Sequence, residues 1–165
     1  MENIKNINPI RLIIFVIIIV MGISLYKNSF FYIGSNNYLS TVQDAERSVY
    51  FKRNERDSLD GKKFDFGKFT GKWSLLEFTS YKDNRIVIED KTRISKGSLY
   101  LVVLDSDYNI IAKRNEREEN NDISFTTPKS GKYIIKIVGK NSTGNFNIKI
   151  KANDNIVIKH IDFFK

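Results

Sequence analysis

Residues 130–151, SGKYIIKIVGKNSTGNFNIKIK, alternate apolar and polar side chains with the period of two that is typical of β-strands. The apolar positions form one predicted inner face: Tyr133, Ile135, Ile137, Phe146, Ile148 and Ile150. The polar positions fall on the opposite face: Lys136, Lys140, Asn147, Lys149 and Lys151. The intervening residues 141–145, NSTGN, tolerate the positive φ angles of a turn. The stretch therefore predicts a hairpin with one inner face.

Shorter runs of the same kind precede this stretch, between turn-rich segments, at residues 73–79, 86–90, 99–104, 109–112 and 123–127. Roughly eight to ten short strands at this spacing are typical of an antiparallel sandwich or jelly roll. The chain has no cysteine, so packing rather than disulfide bonds must stabilise it. We predict an all-β fold, an antiparallel β-sandwich or jelly roll preceded by one N-terminal transmembrane helix.

Three segments resemble the bacterial pre-peptidase C-terminal (PPC) domains and related small extracellular jelly-roll modules: SLYLVVLDSDYNIIA (98–112), SGKYIIKIVG (130–139) and TGNFNIKI (143–150). The resemblance covers residues 70–151 and implies a fold rather than an activity. The turn of such domains normally carries a glycine, which is missing here. We expect Asn109 to take the left-handed conformation in its place.

The N-terminal part has a different composition. Residues 12–26, LIIFVIIIVMGISLY, carry no charge and are followed by Lys27. A helix of this length spans roughly 22 Å, and flanking Arg11, Lys27 and the aromatic residues 30–32 can extend it to both interfaces. Because Lys5 and Arg11 precede the run, we predict a cytoplasmic N-terminus and an extracytoplasmic C-terminal domain in the cell membrane.

A cleaved secretory signal peptide, which would leave the domain secreted, is the alternative. Residues 21–24, MGIS, depart from the small-x-small cleavage pattern, which favours an uncleaved, single-pass signal-anchor. The predicted segments are a cytoplasmic N-terminus at 1–9, a transmembrane signal-anchor at 10–33, a spacer at 34–47 and an extracytoplasmic β-sandwich domain at 48–165. Within the spacer, Asn37 is a candidate N-cap for a short helix.

The charge of the chain suggests an anionic partner. The net charge is +8, and without the first 27 residues 24 basic and 18 acidic residues remain, a net charge of +6. A domain of this sign beside a membrane attracts anionic lipids or an anionic wall polymer. A lysine-rich composition shaped by an AT-rich genome is the competing explanation. The predicted location and the absence of a dense basic stripe argue against nucleic acid.

No motif indicates catalysis, a metal or a cofactor. The single histidine, His160, has no paired nucleophile and is expected to be a partly exposed strand residue. Asp105, Asp107 and Asn109 alternate as calcium ligands do, but Ile110 and Glu116 stand where an EF-hand loop needs glycine and a bidentate glutamate. We predict a polar turn there, no cofactor and no enzymatic activity.

The pentapeptide KRNER occurs twice, at residues 52–56 and 113–117. Aligning the two copies pairs Phe64 with Phe125 but then Phe78 with Gly139, which argues against a duplicated domain. We predict that both copies are solvated strand ends whose charges prevent pairing with another chain, with a repeated binding site as the alternative.

The run at residues 99–104 is apolar on both faces. Leu99, Leu101 and Val103 are assigned to the core, which leaves a second apolar face formed by Tyr100, Val102 and Leu104. That face is a candidate surface for a protein partner in the envelope. The alternative is that it is covered by residues 38–49 or by the C-terminal side chains Ile161, Phe163 and Phe164.

Together these features predict a non-catalytic, membrane-anchored extracytoplasmic module that presents a β-sandwich to a protein or to an anionic envelope partner. One alternative is a carbohydrate-binding module that stacks sugars on Trp73, Tyr81 and Tyr108. Another is a structural accessory subunit of a membrane complex, contacted through its anchor.

Overall fold

The structure, a computed structural model, describes residues 9–29, 31–42, 44, 47–118 and 121–163. Its elements are α1 (Pro9–Lys27), α2 (Asn36–Leu39), β1 (Phe51–Ser58), β2 (Gly61–Ser80), β3 (Arg85–Asp90), β4 (Arg93–Asp105), β5 (Ile110–Asn115), β6 (Ile123–Thr126), β7 (Gly131–Ala152) and β8 (Ile158–His160). Neighbouring strands pair antiparallel throughout the described part. The predicted antiparallel all-β fold behind one N-terminal apolar helix is confirmed.

Helix α1 is apolar on every side and buries none of its residues against the rest of the protein. Pro9 suits the first turn of a helix because its missing N–H would have no partner there, and Lys27 lies in the last turn. Its 19 residues correspond to about 28 Å of helix. By length and composition, α1 is the one helix of the described residues that is able to cross a membrane.

The predicted hairpin at residues 133–151 is wrong, because β7 is one continuous strand of 22 residues. It pairs along almost its whole length with β2, a strand of 20 residues. The expected turn residues remain paired, with Ser142 opposite Phe69 and Gly144 opposite Phe66. Asn141 does take a positive φ of 49°, but it bends the strand rather than reversing it.

These two long strands bend and thereby belong to both layers of the sandwich. Layer A contains β8, the C-terminal half of β2, the N-terminal half of β7, β4 and β5, in that order. Layer B contains β1, the N-terminal half of β2, the C-terminal half of β7, β3 and β6. The bends replace several of the turns that the sequence suggested, so the strands are longer than predicted.

Strands β3 and β4 also form a single path along β7. Asp90 is opposite Ile148 and Arg93 is opposite Asn145, so the register continues across residues 91 and 92. Lys91 N donates to Asn147 O at 2.8 Å within this gap. Along this path the edge partner changes from β6, which pairs with residues 85–88, to β5, which pairs from Tyr100 onward, and the register against β7 shifts between Ile94 and Ser98.

The core lies between the layers and is rich in aromatic rings. Ile135, Ile137, Phe146 and Ile148 are all buried in it, which confirms the inner face predicted for both halves of β7. The ring of Phe146 lies 5.1 Å from that of Phe64. These side chains change from odd to even positions along β7 because the bend shifts the register.

Two local predictions are wrong. Ser35 rather than Asn37 caps α2, because its hydroxyl accepts a hydrogen bond from Tyr38 N at 3.1 Å. In the turn between β4 and β5, Tyr108 rather than Asn109 takes the left-handed conformation, with φ of 61°. The carboxylate of Asp105 accepts hydrogen bonds from Asp107 N and Asn109 N, and these bonds hold the turn in that shape.

Candidate functional site

The face predicted to bind a protein partner is covered in the structure. Val102 and Leu104 are fully buried, and Tyr100 is half-buried. They pack against Ile33, Tyr38 and Leu39 of the linker, which we define as the described part of residues 28–47. The alternative prediction, that the chain itself covers this face, is therefore confirmed. The covering segment begins earlier than the predicted residue 38, because it includes Ile33.

The C-terminal residues cover a different place. Phe163 is buried in the main core, where its ring packs edge-on against Trp73 with centroids 4.9 Å apart. Ile161 N donates to Leu75 O at 2.9 Å, which continues the edge of β8. Phe164 lies outside the described residues.

Lys136, predicted on the polar face of β7, is fully buried beneath the linker. Its ammonium donates to Thr41 O at 2.9 Å and lies 3.1 Å from Asp44 Oδ1. The same carboxylate accepts hydrogen bonds from the backbone N–H and hydroxyl of Ser74. Strand alternation correctly places Lys136 outside the core but does not show that the linker covers it.

Aromatic contacts hold the rest of the linker in place. The ammonium of Lys72 lies 3.9 Å from the centroid of the Tyr38 ring, a cation–π contact. Burial and a hydrogen bond with Tyr32 raise the pKa of Tyr100 to about 12. The linker is thus a packed part of the domain, and it continues directly into α1, where Asn37 Nδ2 donates to Asn28 O at 3.0 Å.

The aromatic residues predicted to stack sugars do not form a platform. Trp73 is buried in the core, where its indole N–H donates to Ile161 O at 3.2 Å. Tyr81 is exposed in the turn between β2 and β3, and Tyr108 packs beside Leu104 and the linker. The three side chains therefore occupy separate places.

The acidic turn at residues 105–109 is closed by a lysine. Lys129 Nζ lies 2.9 Å from Asp105 Oδ2 and also pairs with Asp107. Burial raises the pKa of Asp105, but the hydrogen bonds from Asn109 and Lys129 outweigh it and lower that pKa to about 2. Within the described residues no group of three potential metal-ligating side chains occurs.

The two KRNER copies have different environments. Residues 52–56 are part of β1, where Arg53, Asn54 and Arg56 are exposed and a bulge interrupts the pairing with β2. Charges and a bulge on an edge strand are the features expected of a protected edge. In the second copy, by contrast, Arg114 and Glu116 are buried, so the prediction of a solvated strand end is wrong there.

The buried residues of the second copy form an ion cluster with Asp90. Arg114 forms two hydrogen bonds to Glu116, of 3.0 and 3.1 Å, and pairs with the Asp90 carboxylate through Nη2. One arginine cannot fully neutralise two buried carboxylates. Burial and the charge of Asp90 raise the pKa of Glu116 to about 8, against the lowering effect of Arg114. The raised pKa favours the protonated form of Glu116 at neutral pH.

A pocket of about 610 Å³ lies above this cluster, at the junction of β3 and β4. Asp90, Thr92 and Glu116 form its buried wall, whereas Lys91, Arg93 and Arg117 are exposed around it. Throughout the described part of the chain, none of these three cations pairs with a carboxylate. Arg117 Nη1 is oriented by a hydrogen bond to Gly97 O at 3.1 Å. We call this site the basic pocket.

Sequence patterns alone do not indicate the basic pocket. Lys91 and Arg93 follow a predicted strand and resemble ordinary solvated residues, and Arg117 belongs to a pentapeptide assigned to a strand end. One usable signal was present, because Ala112, Arg114 and Glu116 continue the alternation of β5 on one face. Two charged residues on an alternating face can indicate a buried ion pair.

Comparison with known proteins identifies no family. No protein-family model matches the chain, and no curated protein matches it. Among solved structures, the chain is similar to a protein described as accessory secretory protein 1,2 and 3 in Streptococcus pneumoniae, at 12% identity and a TM-score of 0.35, over 72% of this chain and 99% of that one. It is also similar to BiXyn10A CBM1 in its apo form, at 12% identity and a TM-score of 0.35, over 74% and 94% of the two chains.

Proposed function

We propose that this protein is a non-catalytic, membrane-anchored extracytoplasmic module that binds an anionic envelope polymer through the basic pocket. The observation that carries the proposal is the arrangement of Lys91, Arg93 and Arg117 around a concave site with no carboxylate partner in the described residues. Guanidinium and ammonium groups in such a site bind phosphate or carboxylate oxygens through charge-assisted hydrogen bonds.

The wall of the pocket leaves this positive charge uncompensated. Arg114 is paired with Asp90, and the raised pKa of Glu116 favours its neutral form at pH 7. The pocket therefore has a net charge of about +3 from its three exposed cations. Because the buried carboxyls are held by Arg114, they do not compete with an incoming anion for the exposed cations.

Helix α1 and the linker support the proposed location. The apolar helix is long enough to anchor the domain, and Lys5 and Arg11, which precede its uncharged run at residues 12–26, favour a cytoplasmic N-terminus. The packed linker holds the domain close to the end of α1 rather than on a free tether. The resemblance of residues 70–151 to PPC-like extracellular modules also supports an extracytoplasmic binding role. Cleavage after α1 would leave the same domain secreted.

Binding of inorganic polyphosphate to the full-length protein in neutral-lipid nanodiscs tests the proposal. The double variant Arg93→Gln/Arg117→Gln is expected to lose at least about tenfold in affinity, with an unchanged melting temperature because both side chains are exposed. The matched control Lys82→Gln/Lys159→Gln removes two exposed charges elsewhere and is expected to change affinity less than about twofold. Equal losses in the two double variants would show only non-specific attraction and would overturn the proposal.

A further inference from the structure

A second concave site lies beside the basic pocket and has a different chemistry. It is a cleft of about 560 Å³ whose lining includes Tyr50, Phe51, Lys68, Lys96, Asn141 and Thr143. We call it the aromatic cleft. Its lining combines two aromatic rings and two exposed lysines with an amide and a hydroxyl, and it contains no carboxylate. This combination differs from the core, where aromatic rings meet other apolar side chains.

The cleft is formed where three strands depart from regular geometry. Lys68 of β2, Gly97 of β4 and Asn141 of β7 all have positive φ angles, of 51°, 74° and 49°. Hydrogen bonds fix these positions, because Lys68 N donates to Thr143 Oγ1 and Asn141 N donates to Thr70 Oγ1. Bulges of this kind redirect side chains and are frequent next to binding sites.

Glycine permits the close packing of the aromatic wall. A Cβ atom on Gly67 would lie 2.2 Å from the ring of Phe51, so the ring sits directly against the backbone of β2. Gly97 is similarly constrained, since a Cβ atom there would lie 2.3 Å from Asn141 O. A side chain at Gly67 would therefore displace the Phe51 ring, and one at Gly97 would displace the backbone of β7.

Tyr50 is the most exposed aromatic side chain of the cleft, at 79%. Its backbone is held by a hydrogen bond from Tyr50 N to Gly67 O at 2.8 Å, and its ring contacts Phe51 edge-on with centroids 6.4 Å apart. The ammonium of Lys68 lies 5.3 Å from its centroid. Neither Lys68 nor Lys96 pairs with a carboxylate among the described residues. An exposed ring beside such lysines suits a ligand that offers both an apolar ring face and a negative charge.

The two sites flank the same short segment of β4. Arg93 and Ile94 line the basic pocket, whereas Lys96 and Gly97 line the aromatic cleft. Arg117, from the rim of the basic pocket, donates its hydrogen bond to Gly97 O and so connects the two sites. Arg93 of the basic pocket and Lys96 of the aromatic cleft are three residues apart in β4, and both are exposed.

We propose that the basic pocket and the aromatic cleft form one continuous binding track for an anionic polysaccharide. The inference rests on the proposed function and specifies its ligand. Arg93, Arg117 and Lys91 bind the acidic groups of one sugar unit, while Tyr50 stacks against the ring of another and Lys68 and Lys96 bind its acidic group. Asn141 and Thr143 are placed to hydrogen-bond ring hydroxyls.

The test compares a ring-bearing polyanion, oligogalacturonate, with a ring-free one, inorganic polyphosphate, on the full-length protein in neutral-lipid nanodiscs. Tyr50→Ala is expected to weaken oligogalacturonate binding about tenfold, the upper range for loss of an aromatic contact, and to leave polyphosphate binding within twofold. Tyr81→Ala removes an equally exposed tyrosine, 75% accessible, outside both sites and is the matched control. Neither variant removes a core side chain.

The outcomes separate the two proposals. Loss of binding to both probes in Arg93→Gln/Arg117→Gln, with a loss specific to oligogalacturonate in Tyr50→Ala, supports both. If polyphosphate binds through the basic pocket but Tyr50→Ala and Tyr81→Ala have equal effects on oligogalacturonate, the track is refuted while the proposed function stands. If oligogalacturonate does not bind at all while polyphosphate does, the sugar specificity is also refuted. If neither probe binds, both proposals fail.

Discussion

The ammonium of Lys136 lies 3.1 Å from Asp44 Oδ1, which joins the middle of β7 to a linker that directly follows the apolar helix. The lysine side chain is fully shielded from solvent, whereas Asp44 stays partly accessible. A buried cation is costly unless it is paired and hydrogen-bonded, and Asp44 and Thr41 O supply both kinds of contact. The sandwich and the linker that follows α1 are therefore joined by a packed contact.

Removing Asp44 is expected to destabilise the domain. Asp44→Ala leaves Lys136 without its carboxylate partner and removes two hydrogen bonds to Ser74, so we expect a loss of about 3 kcal/mol in the free energy of unfolding. Lys136→Met, which replaces the cation with an apolar chain, should cost less. Urea titrations of the full-length protein in detergent measure both, with the exposed Asp154→Ala as control. A loss in Asp44→Ala no larger than in Asp154→Ala would show that the linker contact contributes nothing.

The register of β7 predicts that substitutions at inward-facing positions reduce stability much more than substitutions at outward-facing positions. Phe146 is fully buried against Phe64, so Phe146→Ala should reduce the free energy of unfolding by about 3 to 5 kcal/mol. Lys149 is exposed and forms only a surface pair with Asp60 at 3.4 Å, so Lys149→Ala should change it by less than about 1 kcal/mol. Both values come from the same denaturant titrations. Similar losses at the two positions would contradict the observed register.

The raised pKa of Glu116 predicts how the free energy of unfolding depends on pH. Burial and Asp90 raise its pKa from an ordinary value of 4.5 to about 8, so in the window between these values the folded state holds a proton that the unfolded state releases. The contribution of Glu116 is therefore fully present below pH 4.5 and is lost as the pH rises toward 8, by up to about 1.4 kcal/mol per pH unit. Asp90 and Arg114 are the charged groups in contact with it.

Glu116→Gln, which cannot ionise, is expected to flatten this dependence. Denaturant titrations at several pH values across the window measure the slope, and the exposed Glu118→Gln serves as control. Ionisation of Glu116 above pH 8 also adds a negative charge to the wall of the basic pocket, so polyphosphate affinity should fall there in the wild type but not in Glu116→Gln. If the free energy of unfolding of Glu116→Gln depends on pH as steeply as that of the wild type, another group is responsible for the dependence.

The orientation of α1 predicts a pattern of protease protection. If Lys5 and Arg11, which precede the uncharged run of α1, set the topology, protease added outside intact cells should digest the domain after α1 and spare an epitope fused to the N-terminus. Permeabilised cells provide the control, because there the epitope should also be cleaved. Protection of the domain in intact cells, with digestion only after permeabilisation, would place it in the cytoplasm. N-terminal sequencing of the mature protein distinguishes an anchor from a cleaved signal.

Local sequence patterns were enough to predict several features of the fold. The uncharged run at residues 12–26 predicts α1 because an apolar helix needs no partner segment to be recognised. Alternation at Ile135, Ile137, Phe146 and Ile148 identifies side chains that share the core, since a period of two depends only on strand geometry. The strand at residues 86–90 was also predicted correctly to within one residue.

The pairing of strands and the covering of strand faces depend on segments that are far apart in the chain. Residues 141–145 contain typical turn residues, yet pairing with β2 keeps β7 extended through them. Lys136 has the sequence context of an exposed strand lysine, but its partner Thr41 lies 95 residues away. The identical KRNER copies differ because β1 pairs only with β2 among the described strands, whereas Arg114 of β5 meets Asp90 at the end of β3. Periodicity shows which side of a strand a residue occupies, and only the tertiary structure decides what that side contacts.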